Sequence, residues 1–297
     1  MESRQLSYFA EVVRQQSFTK AAAVLRIAQP AISRAVQQLE AETGLILLIR
    51  EKKLIRPTEE GMVLYRYAEQ LRNVIGRAEN DLAERKAGRR GTIEIGLPSM
   101  AGSYYFPEKM ADFKNKHPLF HFKIREAGTT MIEQLILDGE LEIGMVVTDE
   151  VSDSLEVYPL LQEPMVMAAP HSHPFAKKAS VPLHQLADEP LILFKEGYFQ
   201  RRIIDQAAEL KGREPEIAFE TNQISMAKSL SKLGFGVSVF LKMVIHPEDE
   251  LASVPFDPPV VLSLGLAHKK GLPLSAANQT FLSYLLDDQS GKGGSRP

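Results

Sequence analysis

Gln29, Ser33 and Gln37 stand four residues apart with Arg34 beside them, and Pro30 lies next to the first. A side-chain amide offers one donor and one acceptor in the arrangement that matches an adenine edge, and a guanidinium suits guanine or a phosphate. Carried on or near one solvent-facing side of a helix, this set has the chemistry to read base edges in a major groove. A second set, Arg50, Lys52, Lys53 and Arg56, packs four cations into seven residues. On a hairpin, such cations would follow a phosphate backbone, positioning rather than specifying. A third set follows extended segments: Ser99 and Met100, Thr129, Phe194 and Asn222. Ligands of open α/β sheets sit at the carboxyl ends of strands, close to helix N-termini that favour anions. These five are the candidate small-molecule contacts.

The elements that position the first two sets are legible. Leu6, Phe9, Ala10 and Val13 repeat at helical spacing, and Phe18, Ala22 and Leu25 do so in a second segment that Ser17 or Thr19 can cap. After a turn at 26–28, Ile32, Ala35, Val36 and Leu39 mark the buried side of a third helix. Two short amphipathic helices about a turn, the second one polar outside, form a helix-turn-helix. Residues 45–57 then predict a β-hairpin wing with a basic tip, and Thr58, Glu59 and Glu60 open another helix. Along that helix Leu64, Ala68, Leu71, Ile75, Ala78 and Leu82 step 4-3-4-3-4. This heptad seam predicts a two-stranded pairing of two chains, which would place two heads on half-sites of an inverted repeat. Two glycines in 87–91 break the helix and predict a hinge.

Past the hinge, extended runs at 92–97, 122–126, 142–147, 165–169, 191–194, 217–221, 237–240 and 260–267 alternate with helical segments at 106–116, 130–138, 200–211 and 224–233. The alternation predicts an α/β body with parallel strands and helices on their faces. Charge divides along the same line. The chain carries a net −3, yet residues 1–57 hold +4, residues 58–90 hold +1, and the rest holds −8. A basic head on an acidic body suggests that only the head meets phosphate. Cysteine is absent, so disulfides and thiolate chemistry are excluded. No signal-like start and no apolar run near the roughly 20 residues of a membrane span are evident, so a cytoplasmic protein without membrane contact is expected. His117, His121, His171 and His173 lack further ligands at helical spacing, so no metal is expected. No nucleophile elbow, P-loop or dinucleotide fingerprint occurs, so neither a catalytic residue nor a cofactor is assigned.

The segments RQLSYF, SFTKAA, QPAISRAVQQLE, TGLILLIR and PTEEG, spread without a gap over residues 1–61, resemble the DNA-binding head of the LysR-type transcriptional regulators. By that resemblance Gln29, Pro30, Ser33 and Arg34 match the recognition-helix pattern and Arg50 the wing arginine. Two positions depart from the pattern. Ala28 stands where the family usually has Ser or Thr, which removes a helix cap of about 1 kcal/mol, and Leu48 replaces a usual Phe. The resemblance extends through the body, where it implies two lobes, 92–161 with 267–288 and 162–266, joined by two crossover strands as in a periplasmic binding protein. Ser99 and Thr129 match positions that commonly touch effector in this family.

The expected organisation is therefore a winged helix-turn-helix at 1–58, a dimerisation helix at 59–87, a hinge at 88–91, an effector-binding domain at 92–288 and a disordered tail at 289–297. The expected function is a transcriptional regulator that binds double-stranded promoter DNA as a homodimer or homotetramer and has RNA polymerase as a further partner. A small molecule in the body's cleft would modulate that binding. A small organic anion is the expected effector class, although no arginine is placed to neutralise a carboxylate. A solute-binding protein and an α/β enzyme with an appended helical domain are the alternatives.

Overall fold

The computed structural model describes residues 1–51, 54–86, 91–212 and 214–292. The chain falls into two compact units, Met1–Ala87 with Asp138–Glu140, and Gly88–Leu137 with Leu141–Pro297. The first unit opens with α1 (Ser3–Gln15), α2 (Phe18–Leu25) and α3 (Gln29–Thr43). Each start has a local cause. The Glu2 backbone N–H donates to Gln5 Oε1 at 2.6 Å ahead of α1, and Ser17 Oγ accepts from Lys20 N at 3.3 Å at the head of α2. At α3 the capping residue is Ala28, which makes no side-chain cap, and Pro30 in the first turn supplies the helical φ instead. Phe9, Val12, Ala21, Ile32, Val36 and Leu39 are wholly buried where the three helices meet.

The antiparallel hairpin β1 (Leu48–Glu51) and β2 (Leu54–Pro57) follows, and then the 28-residue helix α4 (Glu59–Lys86). Thr58 joins the two elements. Its hydroxyl donates to Ile46 O at 2.8 Å and accepts from Gly61 N at 2.9 Å. The seam expected on α4 is split by packing. Ala68 is buried in the head core, and Leu64 with Tyr65 packs against the same core. The exposed apolar face instead runs through Val63, Tyr67, Leu71, Val74, Ile75 and Leu82. A helix that starts on a globular head must give one stripe to that head, and only past it can the heptad positions face outward.

The second unit holds β3 (Gly91–Leu97), α5 (Ser99–Tyr104), α6 (Phe106–Lys116), β4 (Phe120–Glu126), α7 (Thr129–Leu137), β5 (Ile143–Val147) and β6 (Leu155–Pro170). It continues with β7 (Leu191–Leu193), α8 (Phe199–Glu209), β8 (Ile217–Glu220), α9 (Ile224–Lys232), β9 (Val237–Leu241), β10 (Leu251–Pro255), β11 (Val261–Lys269) and α10 (Ala276–Lys292). The strands run in the order β4-β3-β5-β11-β6-β9-β7-β8, with β10 also paired to β6. Parallel pairing holds β3 between β4 and β5, and β7 between β8 and β9. β6 pairs with β11 from Leu155 to Pro164, and from Met165 onward with β9 and β10. That long strand passes from one half of the body to the other.

Three departures from the expected elements have physical causes. Residues 155–164 lie outside the extended runs read from the sequence, and Pro159 and Pro164 interrupt them. Pro159 opposes Gly265 where the register shifts, and Pro164 sits at the end of the β11 pairing, so neither missing N–H disrupts the ladder. β10 is short and ends in proline, a weak signal beside its long neighbours. Of the tail expected from 289, residues 289–292 belong to α10, which runs to Lys292, and residues 293–297 lie outside the described residues. Extending a formed helix over Ser290 and Gly291 needs no new nucleus.

Gly61 offers a direct check of the head's packing. A Cβ there would collide with the Leu47 carbonyl oxygen. Gly61→Ala should destabilise the protein by about 2 kcal/mol, read as a lowered midpoint in chemical denaturation, whereas the same change at Gly76, where a Cβ meets nothing within 4 Å, should not.

Candidate nucleic-acid interface and ligand cavity

On α3 the buried residues Ile32, Val36 and Leu39 fix which side turns outward. Gln29, Pro30, Arg34 and Gln37 are exposed and Ser33 is half-buried at the edge of the same face. The candidate base-reading set is thus displayed together on one helix. The wing is tied to this helix by one carboxylate. Glu40 Oε1 accepts from the backbone N–H groups of Leu47 at 3.0 Å and Leu48 at 3.2 Å, while its Oε2 accepts from Arg50 Nη2 at 2.9 Å. Arg50 also lies 5.6 Å from the centroid of the Phe18 ring. It therefore orients the hairpin as well as offering charge. Arg56 is exposed on β2, and Lys52 and Lys53 lie outside the described residues.

The body holds a small pocket of about 20 Å³, room for a water-sized molecule, at the ends of its strands, between the β3–β5 half and the β7–β9 half. Ser99, Met100 and Thr129 reach it from the first half, and Tyr198, Gln200 and Leu241 from the second. Leu262 and Leu264 of β11 line it as well. Ser99 Oγ is buried with no hydrogen-bond partner, an uncommon state for a hydroxyl outside a binding site. None of the lining residues carries a formal charge. Phe194 and Asn222 stand outside the cavity. Phe194 packs edge-on to Tyr198 and Phe240, and Asn222 Oδ1 accepts from Lys195 N at 2.9 Å, holding the loop after β7. Tyr198, Phe199 and Gln200 were missed from sequence. The signal available was Gly197 at φ 85 just before a helix, a turn of the kind that aims a helix start at a ligand.

Contacts across the cavity hold the two halves close. Arg202 pairs with Glu150, and a Cβ on Gly128 would collide with the Gly197 carbonyl. On another side Tyr104 stacks on His246 with ring centroids 5.8 Å apart, and Lys228 Nζ sits 5.2 Å from the Tyr104 ring centroid. Lys228 in turn pairs with Asp249 at 2.7 Å. Burial pushes the Asp249 carboxyl up, but the His246 backbone N–H and the Lys228 ammonium outweigh it and hold the group below its ordinary value.

A three-helix head with a hairpin wing, followed in the chain by an α/β body whose halves enclose a cavity, defines the class of ligand-responsive, DNA-binding regulators. Comparison with known proteins places the chain within it. Residues 3–62 match the model described as bacterial regulatory helix-turn-helix protein, lysR family, and residues 86–290 match the LysR substrate binding domain. YcgK of Bacillus subtilis, described as an uncharacterized HTH-type transcriptional regulator, is 32% identical over 272 residues, 84% of this chain and 82% of its own. A full-length OxyR variant from Pseudomonas aeruginosa has the same fold with a TM-score of 0.64 at 23% identity, covering 97% of this chain and 94% of its own. Full-length CbnR, solved in complex with its target DNA, also gives a TM-score of 0.64, at 22% identity and 97% and 99% coverage. The chain belongs to the LysR family of transcriptional regulators, and is a DNA-binding regulator with a domain for a small-molecule effector.

The unpaired hydroxyl of Ser99 makes no cap hydrogen bond to α5. Removing a buried, unsatisfied polar atom is neutral or stabilising. Ser99→Ala should therefore leave the thermal midpoint of the ligand-free protein unchanged or slightly raised, where loss of a cap would cost about 1 kcal/mol.

Proposed function

We propose that this regulator binds double-stranded promoter DNA in the cytoplasm as a homodimer or a dimer of such dimers. In this reading α3 enters the major groove, with Gln29, Ser33, Arg34 and Gln37 at base edges and Pro30 shaping the helix start. The wing, through Arg50, Lys52, Lys53 and Arg56, lies along the phosphates. The observation that carries the reading is the division of α3 into a wholly buried apolar side and an exposed amide-and-guanidinium side. Pairing of two chains is supported by the exposed Leu71, Val74, Ile75 and Leu82 on α4. A row of four such residues has no use on a lone surface helix.

An effector in the cavity contacts Ser99, Met100 and Thr129 and favours one arrangement of the two halves. The hydroxyls and the Gln200 amide suit a small organic molecule with acceptor oxygens, anions among them. The protein acts by binding and not by turnover, and RNA polymerase is the partner that reads the outcome. The relatives support regulation over the solute-carrier or enzyme alternatives. No helix among the described residues is long and apolar enough to cross a membrane.

Two sets of variants test this. Arg34→Ala should lower affinity for the specific operator by about 1–3 kcal/mol and random DNA far less, whereas Arg56→Ala should weaken both alike and reduce the salt slope by about 1. Equal losses in both variants, measured by fluorescence anisotropy, would remove Arg34 from the base-reading role. Leu71→Lys with Ile75→Lys should shift sedimentation toward monomer while leaving the fold intact by circular dichroism.

A further inference from the structure

Met100 makes a contact that a ligand pocket has no need of. It lies on α5 in the β3–β5 half, and its side chain reaches across the cavity to the other half. There the backbone N–H of Leu241, at the end of β9, points at Met100 Sδ from 3.3 Å. The Gln200 side-chain amide approaches the same sulfur at 4.0 Å. Leu241 is 2% exposed and Gln200 6%, so both donors are withdrawn from water. A thioether is a weak acceptor. Two buried N–H donors that converge on one, beside the unpaired Ser99 hydroxyl, are a site built for a stronger acceptor than the one it holds.

We propose that Met100 is an internal plug. Its sulfur occupies the position of the effector's acceptor atom, bridges the two halves when the site is empty, and is displaced when effector binds. The inference rests on the reading of this cavity as the effector site. It also defines the ligand's chemistry as a carbonyl-type oxygen on a short apolar body. The oxygen takes the Leu241 and Gln200 donors and the Ser99 hydroxyl, while the body packs on Met165, Leu262 and Leu264. No charged side chain lines the cavity, so a carboxylate and a carboxamide share the chemistry required. The plug weakens apparent affinity by the fraction of molecules in which it is seated, because only the unseated fraction can accept ligand. It thereby sets a concentration threshold for the response.

Amide hydrogen exchange on the full chain reads the contact directly. Met100→Leu retains bulk and apolarity but offers no acceptor, and should speed exchange of the Leu241 amide about tenfold, the equivalent of one modest hydrogen bond. Met100→Gln, which restores an acceptor oxygen, should return it toward the wild-type rate. Unchanged Leu241 exchange in Met100→Leu would overturn the plug. Met100→Ala opens the position to added molecules. Ethyl methyl sulfide, butanamide and butanoate should each slow Leu241 exchange in this variant, and cyclopentane, which fills space without accepting, should not. Slowing by butanamide alone assigns a neutral head and by butanoate alone an anionic one. Failure of all three acceptors, or equal slowing by cyclopentane, would overturn the ligand chemistry. Operator affinity, measured on the same Met100→Ala samples, should change when the acceptors bind. Restored protection with unmoved operator affinity would overturn the regulatory role of the plug, by failure of the effector reading and not of the contact.

Discussion

The antiparallel pairing of β11 with β6 is the constraint on which the body depends. It runs from Val261 opposite Pro164 to Lys269 opposite Leu155, nine residues of β11 against the first part of a sixteen-residue strand. Two strands shared between the halves leave few ways for those halves to move. β6 changes partners between Pro164 and Met165, so at that place neither sheet's ladder ties one half to the other. The cavity lies at that place, with Met165, Leu262 and Leu264 in its wall. A ligand there bears on the least constrained part of the body. Sub-ångström differences in how it is gripped can then select between arrangements of much larger parts.

In the head, Glu40 has a comparable role on a smaller scale. One carboxylate satisfies two backbone donors of the turn and one guanidinium of the wing, and it sits on the helix that carries the reading face. The wing is short, and two strands alone are marginal in water. Its orientation is borrowed from α3 through this group and from α4 through Thr58. The helix and the hairpin are thereby joined through one carboxylate, an arrangement that suits recognition dependent on register.

What was legible in the sequence follows from the range of the forces involved. The three helices of the head declare themselves because each one's apolar spacing is a property of a dozen neighbouring residues, and so does the exposure of Gln29, Arg34 and Gln37. Ser99 and Thr129, which line the pocket, were legible as candidates because each lies just past the end of a strand. Tyr198, Gln200, Leu241 and Leu262 were not, because they meet only through the crossing of β6 and β11, and nothing local marks them as neighbours. Phe194 was chosen by the same strand-end rule as Ser99. Its ring instead fills the core, since a large aromatic gains more from burial than from lining a small cavity. The heptad seam was legible as a period but not as a partner. Leu64 and Ala68 fit the repeat and are taken by the head, which a one-dimensional pattern cannot distinguish from the outward positions Leu71 and Ile75.

The charge distribution and the cavity together constrain how an effector can act. With an acidic body and an uncharged lining, an anion entering the site would find no cation to offset the loss of its hydration. Selection must come from hydrogen-bond donors held fixed in a dry site and from apolar contact. A site built of neutral donors discriminates by geometry, because a ligand lacking the matching acceptor leaves buried N–H groups unpaired. Met100 relieves that cost in the empty state. In the proposed reading, the thioether's weakness as an acceptor is what lets a ligand with a better oxygen replace it.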